Sequence, residues 1–220
     1  MSPDSMAMIR EGLILYIILA ASIALHEFGH AKAADLLGDF LPRSQGRVTL
    51  NPLVHLDPIG TGLIPLSMIL FRLPFSLIGW GRPVQISLPH PKTRVRDEIL
   101  ITLAGPLMNV LIATVVAVGY GLLAHISPEQ ANHFEPLADA AIAVNCTLIA
   151  FNLIPLPPLD GSRIMRHVVG MSEEMFVRLS MNSWWILLIL INLRPVQVFV
   201  GHLAYEVSIP FMSLGSFLAR

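Results

Sequence analysis

An apolar run that begins near residue 9 ends at residues 26–30 in His26-Glu27-Phe28-Gly29-His30. This most constrains the fold. About twenty apolar residues are enough to span a bilayer as a helix, and residues 9–30 meet that length. In a helix, residues four apart share a face, so His26 and His30 can turn their ring nitrogens to one metal ion. Glu27 beside them can take a proton from a metal-activated water. Ionisable groups at membrane depth are expensive unless functional or paired, which favours a metal site over two hydrogen-bonded core histidines.

The chain has 220 residues, of which 54% are hydrophobic and 13% charged. Soluble domains carry about 25% charged residues. With a mean hydropathy of +0.68, the composition predicts an all-α polytopic membrane protein. A net charge of −1 without a basic stripe excludes a nucleic-acid binder. The single cysteine, Cys146, excludes an intrachain disulfide and a thiolate zinc site and is expected as a small apolar helix residue. Residues 1–7 lack a basic n-region, and the first apolar run shows no small-residue cleavage pattern. The expectation is therefore a retained helix rather than a signal peptide.

Further spans are expected over 99–126, 137–153, 176–193 and 196–218, with a short polar loop at 125–136. The stretch 59–80 is broken by Gly60, Gly62, Pro65, Pro74 and Gly79 and contains Arg72, which fits a re-entrant or interfacial hairpin better than a straight span. Residues 47–50 and 83–88 have strand character, predicting a small membrane-associated β element beside the helical bundle. Lys32, Arg43, Arg47, Arg72, Arg82, Lys92, Arg94 and Arg96 fall between residues 31 and 98, and Arg163, Arg166 and Arg178 between 155 and 182. The loop 125–136 has no Lys or Arg. The positive-inside rule then puts both basic regions and the His26 end of the first helix on the cytoplasmic side.

A catalytic zinc site has three protein ligands and one open position. A metzincin-like third histidine would stand ten residues after His26, but that residue is Leu36. Glu98 is one candidate, though it sits at a helix start beside Asp97, where a solvated charge is the plainer reading. Asp160 is preferred over Glu98. It follows the proline-broken segment Pro155-Leu156-Pro157-Pro158, and its competing role is a helix N-cap.

The ordered motifs resemble the site-2 protease family of intramembrane zinc metalloproteases. They are H-E-F-G-H at 26–30, N-P-L-V-H-L-D-P-I-G-T at 51–61, G-W-G-R-P-V at 79–84, L-A-G-P-L-M-N at 103–109 and F-N-L-I-P-L-P-P-L-D-G at 151–161. The resemblance implies one catalytic Zn2+ held by His26, His30 and Asp160. It makes Glu27 the general base and later proton donor to the leaving amine, and places Asn152 at the substrate carbonyl or unwound strand. Asn109 is expected to be structural, where Ala104 and Gly105 allow helices to pack closely. His55 is expected to tie its loop to the site rather than bind metal.

The implied activity is hydrolysis of peptide bonds within or near transmembrane segments of a membrane protein or peptide in a lipid bilayer. One peptidase domain over 1–220 is expected, with a core at about 9–165, accessory helices at about 175–218, and no PDZ or CBS module. Two other classes are compatible with the motif alone: a non-catalytic zinc-binding regulator and a transporter. The retained Glu27 argues against the first. The lack of a repeated broken-helix unit argues against the second.

Overall fold

The computed structural model describes residues 3–71 and 79–220, and is almost wholly helical. The long helices are α1 (Pro3–Leu36), α4 (Arg94–Ile126), α5 (Pro128–Asn152), α7 (Glu173–Ile191) and α8 (Arg194–Leu218). Short elements fill the gaps: α2 (Leu41–Ser44), a 3-10 turn (Pro52–Val54), a π turn (Pro58–Leu63), α3 (Ile64–Phe71) and α6 (Asp160–Val168). Among the described residues, α1, α4, α5 and α8 are long and apolar enough to cross a membrane. The protein is a multi-pass membrane protein.

Helix α4 is the centre of the bundle, packing against α1, α5 and α8. Ala117, Ile142 and Cys146 form the buried core where α4 and α5 meet, closed by Val207 and Phe211 of α8. Small residues let these helices approach. A Cβ on Gly121 would lie 2.6 Å from the carbonyl oxygen of Gly215, so α4 and α8 touch backbone to backbone. Cys146 is fully buried there, filling the place of a small apolar residue.

Two expectations change. The polar loop at 125–136 is helical from Pro128, because Pro128 opens α5 in its first turn and Glu129 follows at the positive helix end. Ser127 alone separates α4 from α5.

The small β element is not formed: the described residues contain no strand, only one antiparallel bridge between Leu56 and Gly81. Residues 48–50 run as bends, and the Arg47 side chain, rather than a neighbouring strand, takes the carbonyls of Val54 and Arg82. Residues 83–88 have no regular secondary structure and no strand partner, and Pro83 has no N–H to offer a ladder. Leu88 closes this segment at φ 50°, in the left-handed region. The expected re-entrant stretch 59–80 is helical through Phe71, as one run from Pro58, and its residues 72–78, with Arg72 and Pro74, lie outside the described residues.

Asp39 secures this segment. Its buried carboxylate accepts the N–H and hydroxyl of Ser87, the N–H of Leu88 and the N–H of Leu41. Burial opposes ionisation of Asp39, but the Ser87, Leu88 and Leu41 donors outweigh it and hold the carboxyl below the ordinary carboxylate range. The end of α1 is thereby tied to residues 87–88, which would otherwise carry unsatisfied N–H groups.

Candidate metal centre

His26 and His30 lie one turn apart on α1, both buried, with ring centroids 4.7 Å apart. Asp160 opens α6 and faces them across the bundle. His26 Nε2 is 3.0 Å from His30 Nε2 and 3.1 Å from Asp160 Oδ2, and His30 Nε2 is 3.3 Å from the same oxygen. These three side chains form the one potential metal group among the described residues. A tetrahedral zinc with ligands at about 2.0–2.2 Å separates its donor atoms by roughly 3.3–3.5 Å, so the spacing fits.

The hydrogen bonds behind the rings decide which nitrogen faces the site. His30 Nδ1 lies 2.7 Å from the carbonyl oxygen of Ile101, an obligatory acceptor, so Nδ1 carries the proton. For His26 the same conclusion comes through a relay. The carbonyl of Ala141 accepts from Asn145 Nδ2, which orients that amide. Asn145 Oδ1 therefore accepts from Asn109 Nδ2 at 2.9 Å, and Asn109 Oδ1 is left to accept from His26 Nδ1 at 2.6 Å. Asn145 Nδ2 also donates to Ser22 on α1. Both Nε2 lone pairs consequently point at each other and at a carboxylate oxygen. Neutral imidazoles so arranged repel unless a cation lies between them, which is the donor chemistry of a metal site.

The backbone beside the donors is equally specific. A Cβ on Gly105 would fall 2.3 Å from His30 Nε2 and 2.6 Å from His26 Nε2, against both ring donors. Gly29, between the histidines, comes so close to α4 that a Cβ would meet the Ala104 carbonyl oxygen at 2.6 Å. The glycines of H-E-F-G-H and A-G-P thus bring α1 against α4 and leave room for an ion.

A cavity of about 180 Å³ opens on the centre. Its wall includes Glu27, Gly81, Val84, Thr102, Asn152 and Leu188. Glu27 Oε2 is buried without a hydrogen-bond partner. Asn152 donates from Nδ2 to Leu148 one turn back, at 2.9 Å, and so keeps its carbonyl oxygen and second N–H for the cavity.

His55 stays apart from the metal group. It is buried, holds the Thr49 carbonyl at 2.8 Å through Nε2, and lies edge-on to Phe28. Asp160 does not cap α6: Leu159 is the N-cap, and no side-chain cap bond forms there.

A model of "Peptidase family M50" matches residues 121–196. The chain is 36% identical to "Putative zinc metalloprotease YwhC" of Bacillus subtilis (strain 168) over 163 residues, covering 70% of this chain and 68% of that protein. The chain belongs to the M50, or site-2 protease, family. Similar proteins occur in other organisms. "Putative zinc metalloprotease Rip2" of Mycobacterium tuberculosis (strain H37Rv) is 34% identical over 64% of this chain and 51% of its own length. "Zinc metalloprotease MJ0392" of Methanocaldococcus jannaschii is 28% identical over 71% of this chain and 34% of its own length. The matches thus span about half of Rip2 and a third of MJ0392. No solved structure matches.

Three parts of this M50 centre were not read from sequence. Asn145 orients Asn109, and nothing local marks it. Arg47 is buried beside Glu27, with Nη2 4.0 Å from Oε2, although its setting in R-V-T-L reads as a strand. Glu98 is not a solvated charge. It is 2% exposed and accepts from Arg166 Nη2 at 2.6 Å, with His167 Nε2 at 3.0 Å. That buried pair fastens α6, and with it Asp160, to the start of α4.

Proposed function

We propose that this protein is an intramembrane zinc metalloendopeptidase that hydrolyses peptide bonds within or near the transmembrane segments of membrane-protein substrates. The convergence of His26 Nε2, His30 Nε2 and Asp160 Oδ2 beside Glu27 carries this reading. These three residues would hold one zinc ion, which when bound polarises a carbonyl and lowers the pKa of water.

Glu27 is the general base. It takes the proton of the attacking water and returns it to the leaving amine. Glu27 lines the cavity wall, and its buried Oε2 has no hydrogen-bond partner, so the carboxylate keeps acceptor capacity for that proton. Asn152 presents an amide to the carbonyl of the bound chain. A substrate helix hides its peptide groups in i to i−4 hydrogen bonds, so the segment must unwind to enter. Residues 83–86, which have no strand partner, border the same cavity through Val84 and Ile86 and offer backbone groups to the unwound chain.

The basic residues of 31–98 and 155–182 support a reading in which this end of α1 faces the cytoplasm from the cell membrane. The domain is the whole chain; the helices expected to be accessory are part of it, since α7 lines the cavity through Leu187, Leu188 and Ile191 and α8 packs on α4 and α5.

The test is reconstitution with a model transmembrane peptide in proteoliposomes, with zinc content measured and the cut mapped by mass spectrometry. The expected result is one zinc per chain and a cut within the membrane-embedded stretch. Zinc with no cleavage of any membrane peptide would contradict proteolysis and point to a regulator.

A further inference from the structure

Arg47 is 4% exposed and joins three parts of the site. Its Nη1 donates to the carbonyl of Val54 in the N-P-L-V-H loop, and Nη2 donates to the carbonyl of Arg82. The Arg82 N–H in turn donates to the His55 carbonyl at 2.8 Å, next to the Leu56–Gly81 bridge. Gly81 lies directly on the base: a Cβ there would be 2.9 Å from Glu27 Cγ and 2.8 Å from Ile23 Cγ2. Nη2 faces Glu27 Oε2 at 4.0 Å, close enough to attract and too far to hydrogen-bond.

We infer that Arg47 is a positioning residue for the proposed hydrolysis: a counter-charge held just short of Glu27 by two backbone carbonyls, which also fixes residues 79–82 against the base. The two carbonyls matter because a free cation would close on the carboxylate and occupy the lone pair that the water needs. Arginine's rigid fork can hold both carbonyls at once. A lysine keeps the charge but cannot be anchored in the same way. The segment that borders the substrate cavity and the group that takes the proton are therefore set by one side chain. The inference rests on Glu27 acting as base.

The test uses Arg47→Lys and, independently, Gly81→Ala, whose methyl group would push the Glu27 side chain from its seat. Both are expected to keep one zinc per chain and a KM within about threefold of the parent. Both should lose kcat on the order of 10- to 100-fold, the usual effect of misplacing a reacting group by about 1 Å. In the metal-free protein, hydrogen exchange at residues 79–82 should rise in Arg47→Lys. Parental kcat in Arg47→Lys, a raised KM with intact kcat, or unchanged exchange at 79–82 would overturn the inference. Should Arg47→Lys not fold, Gly81→Ala decides: parental kcat there overturns it. Glu27→Gln separates the two readings. If it is inactive while Arg47→Lys is fully active, only the positioning role falls. If Glu27→Gln is active, the proteolytic reading itself falls.

Discussion

His26 donates its Nδ1 proton to Asn109 Oδ1 across 2.6 Å, and the orientation of that amide is set two residues away by the Ala141 carbonyl. A helix-packing asparagine on α4 thereby fixes which nitrogen of an α1 histidine faces the centre.

Removing that acceptor should weaken the metal site without unfolding the bundle. Asn109→Ala is expected to reduce zinc affinity about 10- to 100-fold, as loss of a ligand's orienting partner commonly does. Competition with a chromophoric chelator measures it. Affinity equal to the parent's would show that the relay has no bearing on the metal.

Gly105 should tolerate no side chain. In Gly105→Ala the methyl group would stand 2.3 Å from His30 Nε2 and 2.6 Å from His26 Nε2. The variant is expected to purify without stoichiometric zinc and to be inactive. Gly119→Ala is the control, because a Cβ there meets nothing within 4 Å. It should keep its zinc and gain slightly in helix propensity.

The α6 anchor makes a different prediction. Glu98→Ala leaves Arg166 buried and uncompensated, a change that costs about 3–5 kcal/mol in other buried pairs. Thermal unfolding in detergent micelles should show that loss together with weaker zinc binding, since Asp160 rides on α6. Loss of zinc with an unchanged melting temperature would contradict the anchoring role.

Asp39 predicts an acid limb. Its carboxyl is held below its unfolded value, so the stabilisation is full above the unfolded pKa of about 3.9 and is lost as pH falls through the lower folded value. The melting temperature should therefore drop below about pH 4. Asp39→Asn should be less stable at pH 7 and flatter in that window. An unaltered acid slope in Asp39→Asn would contradict the assignment.

What could be read from sequence is what local spacing controls. His26 and His30 share a helix face by their separation alone, and Asp160 stands out as an acid after a proline-broken span. Pairings across the bundle were hidden. Asn145 and Arg47 acquire their roles only when α5 meets α4 and when the 47–56 loop meets residues 79–82. Glu98 departs from expectation because a carboxylate at a helix start is ordinarily solvated, whereas here α6 folds back over it. The alternation at 83–88 resembles a strand, but an extended backbone becomes a sheet only where a partner supplies a ladder. Asp39 and the Leu56–Gly81 bridge anchor it without one.

The central claim is that Glu27 moves the proton at a zinc centre built from His26, His30 and Asp160. The most direct measurement is cleavage of a transmembrane peptide by Glu27→Gln in proteoliposomes, with zinc quantified in the same sample. The account predicts one zinc per chain and no detectable cleavage. Cleavage at the parental rate by the zinc-loaded variant would contradict it.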